Sequence, residues 1–411
     1  MAITQPKIRA LEAHPIKQEG QDYILLRDPE GIAVEPALLT PAAYFLAMHF
    51  DGSASLLDLQ AAFTRQFGEI LPSEQLAGLI DGLDRGYFLD SPRFAERIRE
   101  INDEYMDAAA RPPFLAGLAY DKDPGRLRAE VASYFARSGA PGAIPAPRND
   151  GPGLRGLISP HIDPNRGGAA YAHAYGELLT RERPELVVIL GTSHYGLGGE
   201  LFAATTKDYA TPLGTVATDR DFVAQLAAMY EGDLVAGELA HRNEHSIEFQ
   251  ALFLAWALGT AGYQIVPILV GSFHQMVARG EAPAREPRVR SFLDAMRNAL
   301  AADSRSTLIL AGVDFAHVGR KFGDSFAADQ RVAEWIARED RMLIENIERG
   351  DPDGFFATIS KDRDARKICG LSPMYTQLEL LRGRPGRLLM HDIAMEPQTE
   401  SLVSFASLAI D

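Results

Sequence analysis

From about Leu154 onward, short uninterrupted apolar runs alternate with longer stretches in which apolar residues recur every three or four positions. The runs LRGLISP, ELVVILG, YQIVPILVG, STLILAGVDF and SLVSFASLAI read as strands, because they are short, rich in β-branched residues and bounded by turn formers. Between them AAYAHAYGELLT, DRDFVAQLAAMY, HSIEFQALFLAWALG, RVRSFLDAMRNALAA and FAADQRVAEWIAREDRMLIENIERG carry a helical period. Strand–helix alternation of this kind predicts an α/β domain with a mostly parallel or mixed sheet flanked by helices.

The front of the chain follows a different pattern. QDYILLRDPEGIAVEP (21–36) reads as a hairpin, YILL and IAV flanking a DPEG turn. Three helices follow: TPAAYFLAMHF with Thr40 as cap and Pro41 in its first turn, LLDLQAAFTRQF capped by Ser55, and EQLAGLIDGLDRGYFL capped by Ser73. A hairpin plus short helices over residues 16–95 predicts a small α+β module. Its element order and its DGSASLLDL phrase resemble the PqqD-like, winged-helix type of peptide-recognition module, although a helical cap on the main domain fits equally well. RFAERIREINDEYMDAAAR (93–111) reads as a charged helix, with 96–111 connecting the module to a larger domain over 112–411. SGAPGAIPAPRNDGPGLRG (138–156) is too rich in Gly and Pro for a regular element.

Composition narrows the function classes. A chain of 411 residues predicts more than one domain, and a net charge of -15 speaks against nucleic-acid or anionic-membrane partners, although a local basic patch stays open. No apolar run reaches membrane-spanning length, the amino terminus lacks a signal-peptide core, and the single cysteine fits a reducing compartment. A cytoplasmic location is the expectation.

The chemistry gathers where the apolar runs end. ISPHIDP puts His161 and Asp163 just past one run, ILGTSHYG puts His194 past a second, and LAGVDFAH puts Asp314 and His317 past a third. In parallel sheets ligands collect at the carboxyl ends of strands, and imidazole suits Fe, Zn or Cu. NEHSIEFQ opens a helix with Asn243 or Ser246 as cap and sets His245 and Glu248 three apart on one face, either as site residues or as a capping arrangement. Cys369, in DARKICGLSP, follows Arg366 and Lys367 and precedes a helix near Ser372; it is either a thiolate ligand or a small buried hydrophobe.

SPHIDPNRGG, GTSHYG, NEHSIEFQ, DFAHVG and KICG, in this order, resemble the Memo family, in particular its branch called AmmeMemoRadiSam system protein B. The resemblance covers about residues 112–411. Its opening Ala-Gly phrase corresponds to LAGLAYDKDPGRLRAEVASYF, which places the Gly/Pro stretch inside the domain. The resemblance implies the fold of class III extradiol dioxygenases, which use non-haem Fe(II) to open catechol rings. It implies His161 and His194 as metal ligands, Cys369 as third ligand where those dioxygenases have a glutamate, and His317 as the acid/base residue; Asp314, past the end of the same strand, is read with His317 as catalytic. Leu115 and Ala119 stand where the family has histidine and tryptophan, and IDPNRGG adds Asp163 and Arg166 to a pocket that His245 and Glu248 also line. A thiolate in place of a carboxylate changes the preferred metal and its chemistry. The implied protein is an oxidoreductase using Fe(II), or Cu or Zn, on an unknown small-molecule or peptide substrate, working with a radical-SAM protein and an AMMECR-type protein. The other reading is a non-catalytic metal- or peptide-binding protein on a dioxygenase scaffold.

Overall fold

A computed structural model describes residues 3–33, 35–147 and 152–411. The chain divides into two units, one ending at Asp107 and one beginning at Ala108.

In the smaller unit an antiparallel sheet is formed by β1 (Glu12–Gln18), β2 (Gln21–Arg27) and β3 (Ala37–Leu39). The predicted hairpin is therefore displaced. YILL lies in β2, but its partner is the upstream strand β1, reached through a turn at Glu19 and Gly20, both with positive φ (50° and 81°). That two-residue turn matches the twist of the strands, whereas the DPEG stretch leads into a loop. Ile32 and Ala33 are buried without forming a strand, and Val34 lies outside the described residues. Four helices follow: α1 (Pro41–Ala47), α2 (Leu56–Phe67), α3 (Ser73–Arg85) and α4 (Pro92–Asp107). Thr40 caps α1, and Ser55 caps α2 in a reciprocal box with Asp58. Ser73 is not a cap: it is the first helical residue, behind Pro72, and takes a hydrogen bond from Gln60. Leu26, Phe50, Leu59, Leu76, Ile80 and Leu83 are among the side chains of this unit's core.

The larger unit is a mixed α/β fold. It begins with β4 (Ala110–Arg111) and α5 (Pro124–Tyr134), so the charged helix stops at Asp107 and Arg111 lies in a strand. There follow β5 (Gly156–Ser159), α6 (Pro164–Leu179), β6 (Leu186–Thr192), β7 (Phe202–Ala204), β8 (Asp208–Thr211), β9 (Gly214–Val216), α7 (Arg220–Met229), α8 (His245–Leu258) and β10 (Gln264–Val270). The remainder is α9 (His274–Arg279), α10 (Pro287–Ala302), β11 (Thr307–Gly312), β12 (His317–Gly319), α11 (Gln330–Glu348), α12 (Pro352–Ser360), α13 (Leu371–Leu380), β13 (Gly386–Glu396) and β14 (Ser401–Ile410).

Among the described residues the main sheet runs β12-β14-β5-β11-β6-β10-β7, with β13 on β14. The central four, β5, β11, β6 and β10, are parallel; β7 and β14 are antiparallel to their neighbours. The unbroken apolar runs follow from burial on both faces. In β6, Leu186, Val188 and Leu190 join the core on one face, while Val187 and Ile189 join that on the other. Strands β10 and β11 alternate in the same way. Helices α7, α10 and α13 cover the first face and α5, α6 and α8 the second.

Candidate metal centre

Adjacent parallel strands release their chains at one edge, and β5, β11 and β6 do so side by side. His161 lies two residues beyond β5, Asp314 two beyond β11 and His194 two beyond β6. The rings of His161 and His194 are 5.0 Å apart. A third ring joins them: His245, 5.1 Å from His161 and stacked on His194 at 4.7 Å. The ligand atoms of these three imidazoles all lie within 4.8 Å of one another.

His245 arrives from the first turn of α8, which is apolar on every side and accordingly sunk into the unit. Two glycines let its amino end settle on the sheet edge. A Cβ on Gly191 would lie 2.6 Å from Ile247 and from the Ser246 hydroxyl, and one on Gly312 would collide with the Ser246 carbonyl oxygen. The seat is fastened by Ser246 Oγ donating to the Thr192 carbonyl (2.8 Å) and by Gln250 Nε2 donating to that of Pro160 (2.9 Å). Glu244, rather than Asn243 or Ser246, is the N-cap, accepting from Ser246 N at 3.0 Å.

Glu244 was not singled out from the sequence, yet it organises two of the imidazoles. Its carboxylate takes His194 Nδ1 (2.9 Å) and the His194 backbone N–H (2.8 Å), and lies 3.4 Å from His245 Nδ1. The capping position was the available signal, since a cap one residue before a histidine sits within reach of it. Burial works to raise the Glu244 carboxyl, but the hydrogen bonds and charge of His194 outweigh it and hold the group well below the usual carboxylate range. For His194, burial opposes protonation while Glu244 favours it more, so its pKa is raised. Burial, then the neighbouring imidazoles, hold His161 well below its ordinary value, and burial takes His245 down to about 4. The acceptor-only carbonyl of Gly312, 2.9 Å from His161 Nδ1, puts the ring proton there and leaves Nε2 as a lone pair. Neutral, carboxylate- or carbonyl-oriented imidazoles are the state in which histidine binds metal.

His161 Nε2 faces Cys369 Sγ at 3.3 Å and Asp314 Oδ2 at 3.7 Å. Cys369 is thus beside the cluster, though not a member of the mutually close set, and burial followed by the Asp314 charge pushes its thiol well above the usual range. A Cβ on Gly370 would lie 2.6 Å from the Asp314 carbonyl, so glycine there lets the cysteine segment approach β11. Asp314 Oδ1 accepts the backbone N–H groups of His161 and Ile162, and burial lifts this carboxyl to about 7. His317 opens β12, its Nδ1 on the Phe315 carbonyl at 3.1 Å, and burial lowers it to about 4.

The remaining expected pocket residues make contacts of their own, while the charge of Arg166 still reaches Asp314 and His317. Asp163 caps α6 through Asn165 N (2.7 Å). Arg166 pairs with Glu396. Glu248 does not share a site with His245: it is buried against Arg111 and accepts from Tyr120 and the backbone of Phe114 and Leu115. A cavity of about 320 Å³ borders the cluster at His194 and Cys369. A larger one, about 640 Å³, lies at the opposite sheet edge around Asp219, Gln264 and Arg305, away from the imidazoles. No helix among the described residues is long and apolar enough to cross a membrane.

A family profile described as Memo-like protein matches residues 111–409. A MEMO1 family protein of Aquifex aeolicus is 30% identical over 98% of this chain and 99% of its own length. One from Thermus thermophilus is 28% identical over 87% of this chain and 99% of its own, and one from Methanopyrus kandleri is 32% identical over 64% and 83%. The solved structure of an uncharacterized protein from Escherichia coli K12 aligns at 15% identity over 63% of this chain and all of that one, with a TM-score of 0.35, too low to bear on the fold.

Proposed function

The chain belongs to the Memo-like family, and from that premise we propose that it is a metal-dependent oxidoreductase, with Fe(II) or Cu held at the cluster of His161, His194 and His245 and with Cys369 as a further donor. The observation that carries this reading is the set of three imidazoles with ligand atoms within 4.8 Å of one another at the carboxyl edge of parallel strands. Imidazole and thiol donors fit Fe, Cu or Zn and do not fit Mg or Ca. When bound, such an ion supplies Lewis acidity and, for Fe or Cu, one-electron chemistry.

The protein's own contribution is orientation and proton handling. Glu244 and the Gly312 carbonyl hold the Nδ1 protons of His194 and His161; that leaves Nε2 of His161 as a lone pair, whereas His194, whose pKa Glu244 raises, has to shed its Nε2 proton to act as a donor. Cys369 has to give up its proton to act as a donor. Asp314, with one oxygen tied to two backbone amides and the other 3.7 Å from His161 Nε2, is placed to carry a proton at Oδ2. His317 is the proposed acid or base toward substrate. We read the larger unit as a class III extradiol dioxygenase-type scaffold and the smaller as a PqqD-like module for a peptide or partner, with a radical-SAM protein and an AMMECR-type protein as the proposed partners. The thiol beside His161 favours one second reading, a non-catalytic metal-binding protein, because a soft donor departs from the carboxylate of the ring-opening enzymes.

Metal analysis of protein purified without oxygen, followed by an oxygen-consumption screen, tests both readings. Stoichiometric Fe or Cu should be present, and His161→Ala and His194→Ala should lose it. Cys369→Ser and His245→Ala should each weaken binding, and a variant that retains full affinity removes its residue from the donor set. Stoichiometric metal retained in both His161→Ala and His194→Ala would overturn the proposal. Bound metal with no oxygen consumption on any substrate class would favour the binding protein.

A further inference from the structure

Cys369 is delivered by the short segment that leaves α12 and enters α13. Arg363, Asp364 and Lys367 in this segment adopt positive φ (57°, 56° and 52°), a conformation that is costly for non-glycine residues and persists where neighbours enforce it. The neighbours belong to the span 314–324, which carries His317. The Arg366 carbonyl accepts from His317 N (2.8 Å), and Gly370 N donates to the Asp314 carbonyl (3.1 Å). Between these two links Lys367 Nζ lies 2.6 Å from Asp324 Oδ1, while Asp324 Oδ2 accepts from Gly319 N (2.8 Å). Gly319 is itself fixed: at φ 110° it lies so close to the start of β14 that a Cβ would collide with the Glu400 carbonyl. The Lys367 backbone also faces the His317 ring; burial dominates the lowered pKa of that ring, and the carbonyls of Phe315 and Lys367 oppose it.

We propose that Lys367 and Asp324 are positioning residues, their ion pair a clasp that fixes the Cys369 segment against the strand bearing His317, so that thiol and imidazole are set by one device. The clasp rests on the metal-site reading only in the task that reading gives Cys369. A partly exposed ion pair contributes little to global stability. This one acts on geometry, because one oxygen of Asp324 is anchored to β12 and the lysine held by the other sits in left-handed backbone. Release of the lysine lets that backbone relax and draws Cys369 Sγ away from His161 Nε2, which it now faces at 3.3 Å.

Full-length Lys367→Met, Lys367→Gly, Lys367→Arg and Asp324→Asn, metal-free and held well below their melting temperatures, test the clasp. Iodoacetamide labelling of Cys369, the only thiol, should run about five-fold faster than in the parent in Lys367→Met, Lys367→Gly and Asp324→Asn, and within about two-fold of it in Lys367→Arg. Amide exchange at His317, whose N–H is spent on the segment, should rise in the same three variants. Lys367→Gly separates clasp from backbone, because glycine adopts positive φ without steric cost. Were the backbone alone responsible, that variant would match the parent. Co(II) added to the same proteins reads the donor: thiolate-to-Co(II) absorption should weaken in the three and return in Lys367→Arg. Labelling and exchange at the parent's rates in Lys367→Met and Asp324→Asn, or in Lys367→Gly, overturn the proposal. Labelling and exchange that respond as expected, in a protein whose parent shows no thiolate-to-Co(II) absorption, would support the clasp and sink only the reading of Cys369 as a donor.

Discussion

Glu244 takes hydrogen bonds from one imidazole ring, one backbone amide beside it and one helix amide, and is buried while doing so. Carboxylates that orient metal-binding histidines commonly change affinity by ten- to a hundred-fold when altered. Glu244→Gln should therefore weaken metal binding about ten-fold and Glu244→Ala about a hundred-fold, measured by chelator competition. Unchanged affinity in the alanine variant would show that His194 needs no such partner. His241 offers a second expectation, in stability. It is fully buried, with Nε2 on the Ala203 carbonyl (3.1 Å) and Nδ1 taking the Tyr209 hydroxyl (2.9 Å), and burial lowers it from 6.5 to about 4. Because the folded state binds fewer protons than the unfolded one in this window, stability is full above about pH 6.5 and falls as pH drops toward 4, by roughly 3 kcal/mol. Urea unfolding of His241→Gln should show that much less acid sensitivity than the parent. Equal pH dependence in the two proteins would remove His241 from the account.

At the scale of elements, the seat of α8 on the sheet edge is the feature on which the cluster turns. Gly312→Ala would set a methyl group against the Ser246 carbonyl and lift the helix start, so we expect a loss of about 1–3 kcal/mol in stability together with weakened metal binding. Thermal unfolding with and without metal would separate the two; a variant equal to the parent in both would mean that α8 has slack. The same seat marks how far the sequence could be read. The apolar runs ending in ISPH, GTSH and GVDFAH announced strand ends and their polar residues, because two-sided burial leaves a pattern within each run. His245 could be placed on a helix but not against His194, because that contact depends on glycines in two strands remote from it in the chain. Glu248, one turn further on, faces Arg111 instead, a partner 137 residues away that no local pattern indicates. The first hairpin was misplaced for a simpler reason: β1 is exposed along nearly its whole length, so it lacks the apolar alternation that reveals a strand.

For the whole molecule, the imidazoles, Cys369, Glu244 and both faces of the main sheet belong to the unit that begins at Ala108. The Methanopyrus kandleri relative aligns with only 64% of this chain yet is covered over 83% of its own length, so little of that protein is left to correspond to the smaller unit. A fragment spanning Ala108–Asp411 should therefore fold and bind metal with the affinity of the full chain. A folded fragment without metal affinity would assign the smaller unit a part in the site. The last strand adds a constraint of a different kind. Every residue of β14 is buried, and it lies between β13 on one side and β5 and β12 on the other, with Leu408 opposite Ile158. Until residues 401–410 leave the ribosome, β5 carries an unpaired hydrogen-bonding edge, and its partner comes from the far end of the larger unit. Pairings so distant in sequence form slowly, and an open strand edge invites association with other chains. A chain lacking residues 401–410 should accumulate as aggregate, as judged by the soluble fraction after expression. During synthesis, then, the flank of β5, the strand that leads to His161, is among the last parts of the sheet to be completed, and the growing chain needs its longest protection there.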